Sequence, residues 1–177
     1  MRASLLWLGM IMLGMAVLPV AAAQGEAPEF PNVPDVPVPP GVGYDGFFQK
    51  HQPVKIVFGV SDPGDQMRES LTNAAYTIKY LEPRGIPYEI QVVLYGRAVL
   101  PASQFATERA GYAPLMKALS EYGVSFKVCN NSLAALNQSA EELYPYMDLI
   151  PAGILQLTKK QMQGFAYISN ADGPGAP

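Results

Sequence analysis

The segment that most limits the fold is Val54-Lys55-Ile56-Val57-Phe58-Gly59-Val60, rich in β-branched residues and carrying a single charge. A run so apolar on both sides of its pleat needs cover on both faces of a sheet. The next stretch of chain has a helical period. Met67, Leu71, Ala74, Ala75, Ile78 and Leu81 recur at spacings of three and four, predicting a helix of about four to five turns that Pro83 and Gly85 end. Asp62 before Pro63 predicts its N-cap. A second apolar run, 88–95, is the next strand.

The alternation then repeats. A helix is expected over 113–122, stopped by Gly123, and a third strand over 124–128. A short helix comes next over 130–137, and Ser139-Ala140-Glu141-Glu142 has the spacing of a capping box that opens another, kept short by Pro145. Residues 149–150 form a brief strand. A helix over 153–163 with Lys159 and Lys160 facing water, Gly164 at its C-cap and a closing strand over 165–168 complete the body; a strand over 154–157 is the alternative reading. Strands joined by helical crossovers imply an α/β fold with a mostly parallel sheet of about five strands.

The ends of the chain are of another kind. Arg2, an apolar stretch over 5–17 and Ala21-Ala22-Ala23 before Gln24 read as a cleavable export signal over 1–23, placing the protein in a periplasm or outside the cell. An uncleaved anchor is the alternative, although the run is short for a span and Pro19 lies close behind it. Cleavage removes one of 12 basic residues and none of 15 acidic ones, leaving a net charge of −4. An acidic chain without a basic cluster gives no electrostatic case for nucleic acid or anionic lipid. Four of eight methionines leave with the signal, which removes support for copper storage.

Residues 24–52 form a proline-rich arm in which Pro28, Pro31, Pro34, Pro37 and Pro40 recur every third residue, the period of polyproline II. A semi-rigid spacer is the favoured expectation. The alternative is an arm that packs on the body or on a neighbouring subunit through Phe30, Tyr44, Phe47 and Phe48. The domain spans 53–170, and the tail 171–177 is expected to be disordered.

In parallel sheets, ligands gather beyond the carboxyl ends of the strands. That edge collects Asp62, Arg97, Cys129 and Pro151-Ala152-Gly153. Cys129 is the only cysteine, so an exported chain offers it no intramolecular disulfide partner. Asn130-Asn131-Ser132 after it can open a helix, whose N–H groups would favour the thiolate. The alternative is a buried, inert thiol. Arg97 would bind an oxyanion of sulfur beside it or pair with a surface carboxylate. Asn130 and Asn131 read first as turn and cap residues, and Asp62 first as a cap. His51, the only histidine, lies at the opposite end of the sheet as a solvated linker residue. One cysteine and one histidine give no metal site within a subunit, and no cofactor motif, phosphate loop, dinucleotide fingerprint or G-x-S-x-G elbow is present.

Val128-Cys129-Asn130-Asn131-Ser132-Leu133, Pro151-Ala152-Gly153-Ile154 and Gln161-Met162-Gln163-Gly164-Phe165-Ala166-Tyr167-Ile168 together resemble the DsrE/DsrF family of sulfur-handling proteins, particularly its exported single-domain members. The resemblance covers roughly 54–168 and leaves out the arm. It implies a three-layer α/β/α fold, assembly into trimers or hexamers, and a cysteine that carries sulfane sulfur as a persulfide, a role only Cys129 can fill. Substrate contacts would then fall to Arg97, Asn130, Asn131 and Asp62. Many relatives have glycine directly after the cysteine where this chain has Asn130, a residue able to adopt a left-handed turn. Two functions stand: a sulfur carrier or transferase that exchanges sulfur with a donor or acceptor protein, and a non-catalytic oligomeric binding module with a structural cysteine.

Overall fold

A computed structural model describes residues 25–106 and 110–170; the segment expected to be an export signal, 1–23, and the tail 171–177 expected to be disordered lie outside the described residues. Five strands form one parallel sheet: β1 (Val54–Val60), β2 (Tyr88–Leu94), β3 (Ser125–Cys129), β4 (Met147–Ile150) and β5 (Ala166–Ile168). Their spatial order is β4-β3-β2-β1-β5. The chain steps outward one strand at a time from β1 to β4, then crosses the sheet to lay β5 beside β1, pairing Val57 with Tyr167. All strands being parallel, their carboxyl ends share one edge.

The two faces are unequally covered. On one, Phe58, Val60, Val92, Leu94, Phe126 and Val128 pack against α2 (Asp65–Leu81) and α3 (Ala113–Glu121) in the larger core. On the other, Val57 and Val93 meet Leu157 and Phe165 through the single helix α5 (Gly153–Met162). Residues 154–157 are therefore helical. Helix α5 packs on β1, β2 and β3, while Leu149 of β4 remains exposed. Lys159 faces water as expected, but Lys160 lies half-buried with its ammonium 4.3 Å from the centre of the Phe165 ring, and burial lowers its pKa.

The arm is not a free spacer. Phe30 and Val33 are buried, with Phe30 set edge-on to Tyr122 at 5.1 Å. Asp35 forms an ion pair with Lys79 of α2. Asp45 opens α1 (Asp45–Phe48), a single turn, and accepts hydrogen bonds from Tyr80 Oη and from Arg84 Nε at 2.9 Å. The proline period stiffens the arm; Asp35 and Asp45 tie it to the last turns of α2, and Phe30 to Tyr122 just past α3. His51 is exposed, stacked on Phe47 at 4.3 Å, at the amino end of β1 and far along the strands from Cys129.

Local starts differ from expectation at two places. Helix α2 begins at Asp65 with Gly64 as N-cap, so Asp62 does not cap it. Instead Asp62 Oδ1 accepts the Gly64 N–H at 2.6 Å, a turn closed by the side chain across Pro63. After α4 (Asn130–Ala135), the Ser139 segment makes a single 3₁₀ turn, Ala140–Glu142, in which Ser139 Oγ accepts from Glu141 N–H. Pro145 leaves no room for a further turn.

Candidate functional site at the carboxyl edge of the sheet

Cys129 is the last residue of β3 and the N-cap of α4, with an extended backbone at φ −73° and ψ 114°. The strand delivers the sulfur to the sheet edge, and the immediate helical turn points the N–H groups of Asn131 and Ser132 towards it. Gly153, first residue of α5, brings a third N–H from the end of β4. The Ser132 hydroxyl is the fourth polar neighbour. None of the α4 groups closes a full cap hydrogen bond to the sulfur, so they act mainly through their dipoles. Burial pushes the Cys129 thiol up, but the Ser132 hydroxyl and the N–H groups of Gly153, Ser132 and Asn131 outweigh it, and the net shift is downward.

The loops after three other strands converge here. Gly96, just past β2, donates its N–H to Ser132 Oγ at 2.8 Å. That leaves the serine proton free to face the sulfur. Gly96 sits at φ +53°, and a Cβ there would lie 2.9 Å from the Ser61 carbonyl oxygen after β1, so only glycine fits. A Cβ on Gly153 would lie 2.7 Å from Tyr95 Cβ, which packs that ring against the backbone supplying the third N–H. Burial and the neighbouring Tyr167 raise the Tyr95 pKa, against a hydrogen bond with Ser61, so this phenol remains protonated at neutral pH. Gln66 Oε1 holds the β1 loop, accepting from Ser61 N–H at 2.7 Å and Asp62 N–H at 2.9 Å.

Cys129 retains 4 % of its surface, more enclosed than a rim position suggests. It belongs to the larger apolar core, with the Ser132 hydroxyl and the neighbouring N–H groups on its polar side, and Asn130 and Asn131, next in the chain, are exposed. Asn130 is the first helical residue of α4 and adopts no left-handed turn, so the position makes no demand for glycine. Asn131 shares its N–H between the sulfur, where it is the weakest of the donors, and the Pro151 carbonyl just past β4 at 3.4 Å, a long hydrogen bond that ties α4 to that loop. Arg97 comes directly after Gly96, is exposed, and has no ion pair among the described residues. Asp62 is occupied by its own turn. Ser132, Gly96 and Tyr95 are site residues that the sequence reading did not single out. The signal for Ser132 was its place three residues beyond the cysteine, the spacing of an N-cap and its N3 partner.

Among the described residues, no three His, Cys, Asp or Glu side chains gather as a metal site would require, and no helix is long and apolar enough to cross a membrane. The model of the DsrE/DsrF-like family matches residues 54–169, more than half of the chain. The chain belongs to the DsrE/DsrF-like family. The structure of MTH1491 from Methanobacterium thermoautotrophicum, a protein of unknown function, is similar with a TM-score of 0.57 and 24 % identity, over 65 % of this chain and 97 % of that one. That likeness establishes the fold. No curated protein matches the chain.

Proposed function

We propose that this protein is an exported sulfur carrier in which Cys129 holds sulfane sulfur as a persulfide. The observation that carries the reading is the setting of the sulfur: the N–H groups of Asn131, Ser132 and Gly153 and one hydroxyl surround it, in a chain of this family. Those donors favour the thiolate, the form that attacks sulfur. The thiolate forms a bond to the terminal sulfane atom of a polysulfide or of a partner persulfide. The donor's S–S bond breaks, and its electron pair leaves on the donor sulfur. An acceptor thiolate then takes the outer sulfur and Cys129 departs as thiolate, so the relay needs no external oxidant. Arg97, exposed and without an ion pair among the described residues, attracts an anionic donor, and the exposed Asn130 and Asn131 beside the cysteine contact it. Donor and acceptor proteins, and assembly into a homo-oligomer, belong to the same proposal.

Intact-mass measurement of the native protein after polysulfide exposure tests it. The expected result is a gain of about 32 Da, one sulfur atom, that a thiol acceptor removes and Cys129→Ser lacks. An unmodified wild-type mass, under conditions that load a known carrier, overturns it. The enclosure of Cys129 favours a second reading, an assembly module with a structural thiol; it predicts that the native protein reacts with no sulfur donor at all.

A further inference from the structure

We propose that the polar pocket between α5 and strands β2 and β3 binds a hydroxylated phosphate monoester, a small organic dianion. The pocket has a volume of about 470 Å³ and lies where α5 crosses the sheet. Apolar packing stops short there. Val57 and Val93 meet Leu157 and Phe165, but the neighbouring positions on the same face are Gln91 of β2 and Ser125 and Lys127 of β3. Helix α5 supplies Gln156, Lys159 and Lys160, a polar stripe beside its apolar one. Polar side chains between a helix and a sheet lower stability unless they find partners, and here the chain supplies those partners only in part.

Charge selects a dianion. Lys127 is paired with Asp148, and Glu89, the one carboxylate of the lining among the described residues, is paired with Lys55 at 3.4 Å. Lys159 and Lys160 have no ion pair among the described residues, so two positive charges stand uncompensated. Lys160 is half-buried, and the Phe165 ring at 4.3 Å makes up only part of its lost hydration. Burial first, with the neighbouring lysines adding to it against Glu89, lowers its pKa, and a bound anion would oppose that shift. Among the described residues no arginine lines the pocket. Ammonium point charges suit the oxygens of a phosphate, whereas a planar carboxylate is matched best by an arginine fork. The volume exceeds the needs of a bare inorganic ion and falls in the range of small-molecule sites, roughly 300–1,000 Å³. Hydroxyl groups on the ligand meet amides. Gln91, 4 % exposed, reaches Ser125 Oγ from Nε2 only at 3.5 Å, which leaves an amide N–H for a ligand oxygen. Gln156 donates one Nε2 hydrogen to Gln91 Oε1 at 2.6 Å and keeps its second N–H and its own Oε1.

Titration calorimetry of the native protein with ribose 5-phosphate, inorganic phosphate and ribose tests this. The expected result is one ribose 5-phosphate bound per chain, inorganic phosphate weaker by about tenfold or more, and no heat from ribose. Lys160→Gln and Lys159→Gln should each weaken binding by about tenfold, the loss of one charge-assisted contact. Lys159 is exposed, so its variant keeps the fold even if Lys160→Gln disturbs it. The side-chain amide resonances of Gln91 and Gln156 should shift as the ester is added. No binding at about 10 mM ester, equal affinity for inorganic phosphate, or affinity that both lysine variants leave unchanged would each overturn the inference. Cys129→Ser leaves the binding unchanged, so this result and the sulfur reading stand or fall separately.

Discussion

At the scale of single residues, the site depends on a glycine and a serine that attend the thiol. Ser132 accepts from Gly96 N–H, which orients its own hydroxyl towards Cys129. Ser132→Ala removes a donor that lowers the thiol pKa. The expected outcome is a higher midpoint in the pH profile of alkylation with the fold intact; an unmoved midpoint would remove Ser132 from the site. Gly96→Ala places a Cβ against the Ser61 carbonyl in a left-handed backbone, at a cost of about 1–2 kcal/mol in chemical denaturation. Cys129 itself was legible in the sequence because an apolar run ended in it and helix-opening residues came next. Gly96 was not, because its need arises from a carbonyl 35 residues earlier in the chain.

Among the elements, helix α2 bears most on stability, since it covers the larger face and also holds the arm. Leu71 is fully buried between the helix and the sheet, so Leu71→Ala is expected to cost about 2–5 kcal/mol by urea unfolding. A loss well below that would mean the sheet closes over the gap. The arm is held differently, by charge and hydrogen bonds. The Tyr80 hydroxyl first, and then Arg84, hold the Asp45 carboxyl below the usual aspartate range against the desolvation that raises it. A carboxylate with a lowered folded pKa stabilises the attached state above its unfolded value, and that contribution fades as pH falls through the folded one. Proteolysis within residues 36–44 should therefore accelerate below about pH 4. Asp45→Asn should show the faster cleavage already at neutral pH. Equal cleavage rates for wild type and variant at neutral pH would assign the arm's attachment to Asp35 and the buried Phe30 and Val33 instead. Period and composition identified α2 to within a residue at its end, yet its start was misjudged: Pro63 looked like a first helical turn, and Asp62 closes a tighter turn instead. Packing of the arm on the body through its aromatic residues stood as the alternative to a spacer; its charged contacts were hidden because their partners, Lys79, Tyr80 and Arg84, lie roughly 35–45 residues away in sequence.

For the whole molecule, alternation of strand and helix was enough to predict a parallel sheet and to put the loops of distant strands on one edge. The spatial order was not readable that way. Nothing in 166–168 announces that the chain crosses the sheet to pair with β1, because three exposed residues carry no pattern that a partner strand would impose. That crossing has two consequences. It draws α5 over β1 to β3, bringing the Gly153 N–H to the sulfur, and it leaves β5 as an open edge beside the arm. The chemistry at one end of the strands and the polar pocket beside α5 thus arise from the same connection.

The central claim is that Cys129 is a thiolate-favouring sulfur reachable in the folded protein. Alkylation of the native chain with a small neutral reagent, measured across pH and compared with its unfolding rate, tests this most directly. The account predicts labelling faster than global unfolding, with a midpoint below the free cysteine value of about 8.5. Labelling that proceeds only as fast as the protein unfolds, or a midpoint above that value, would contradict it.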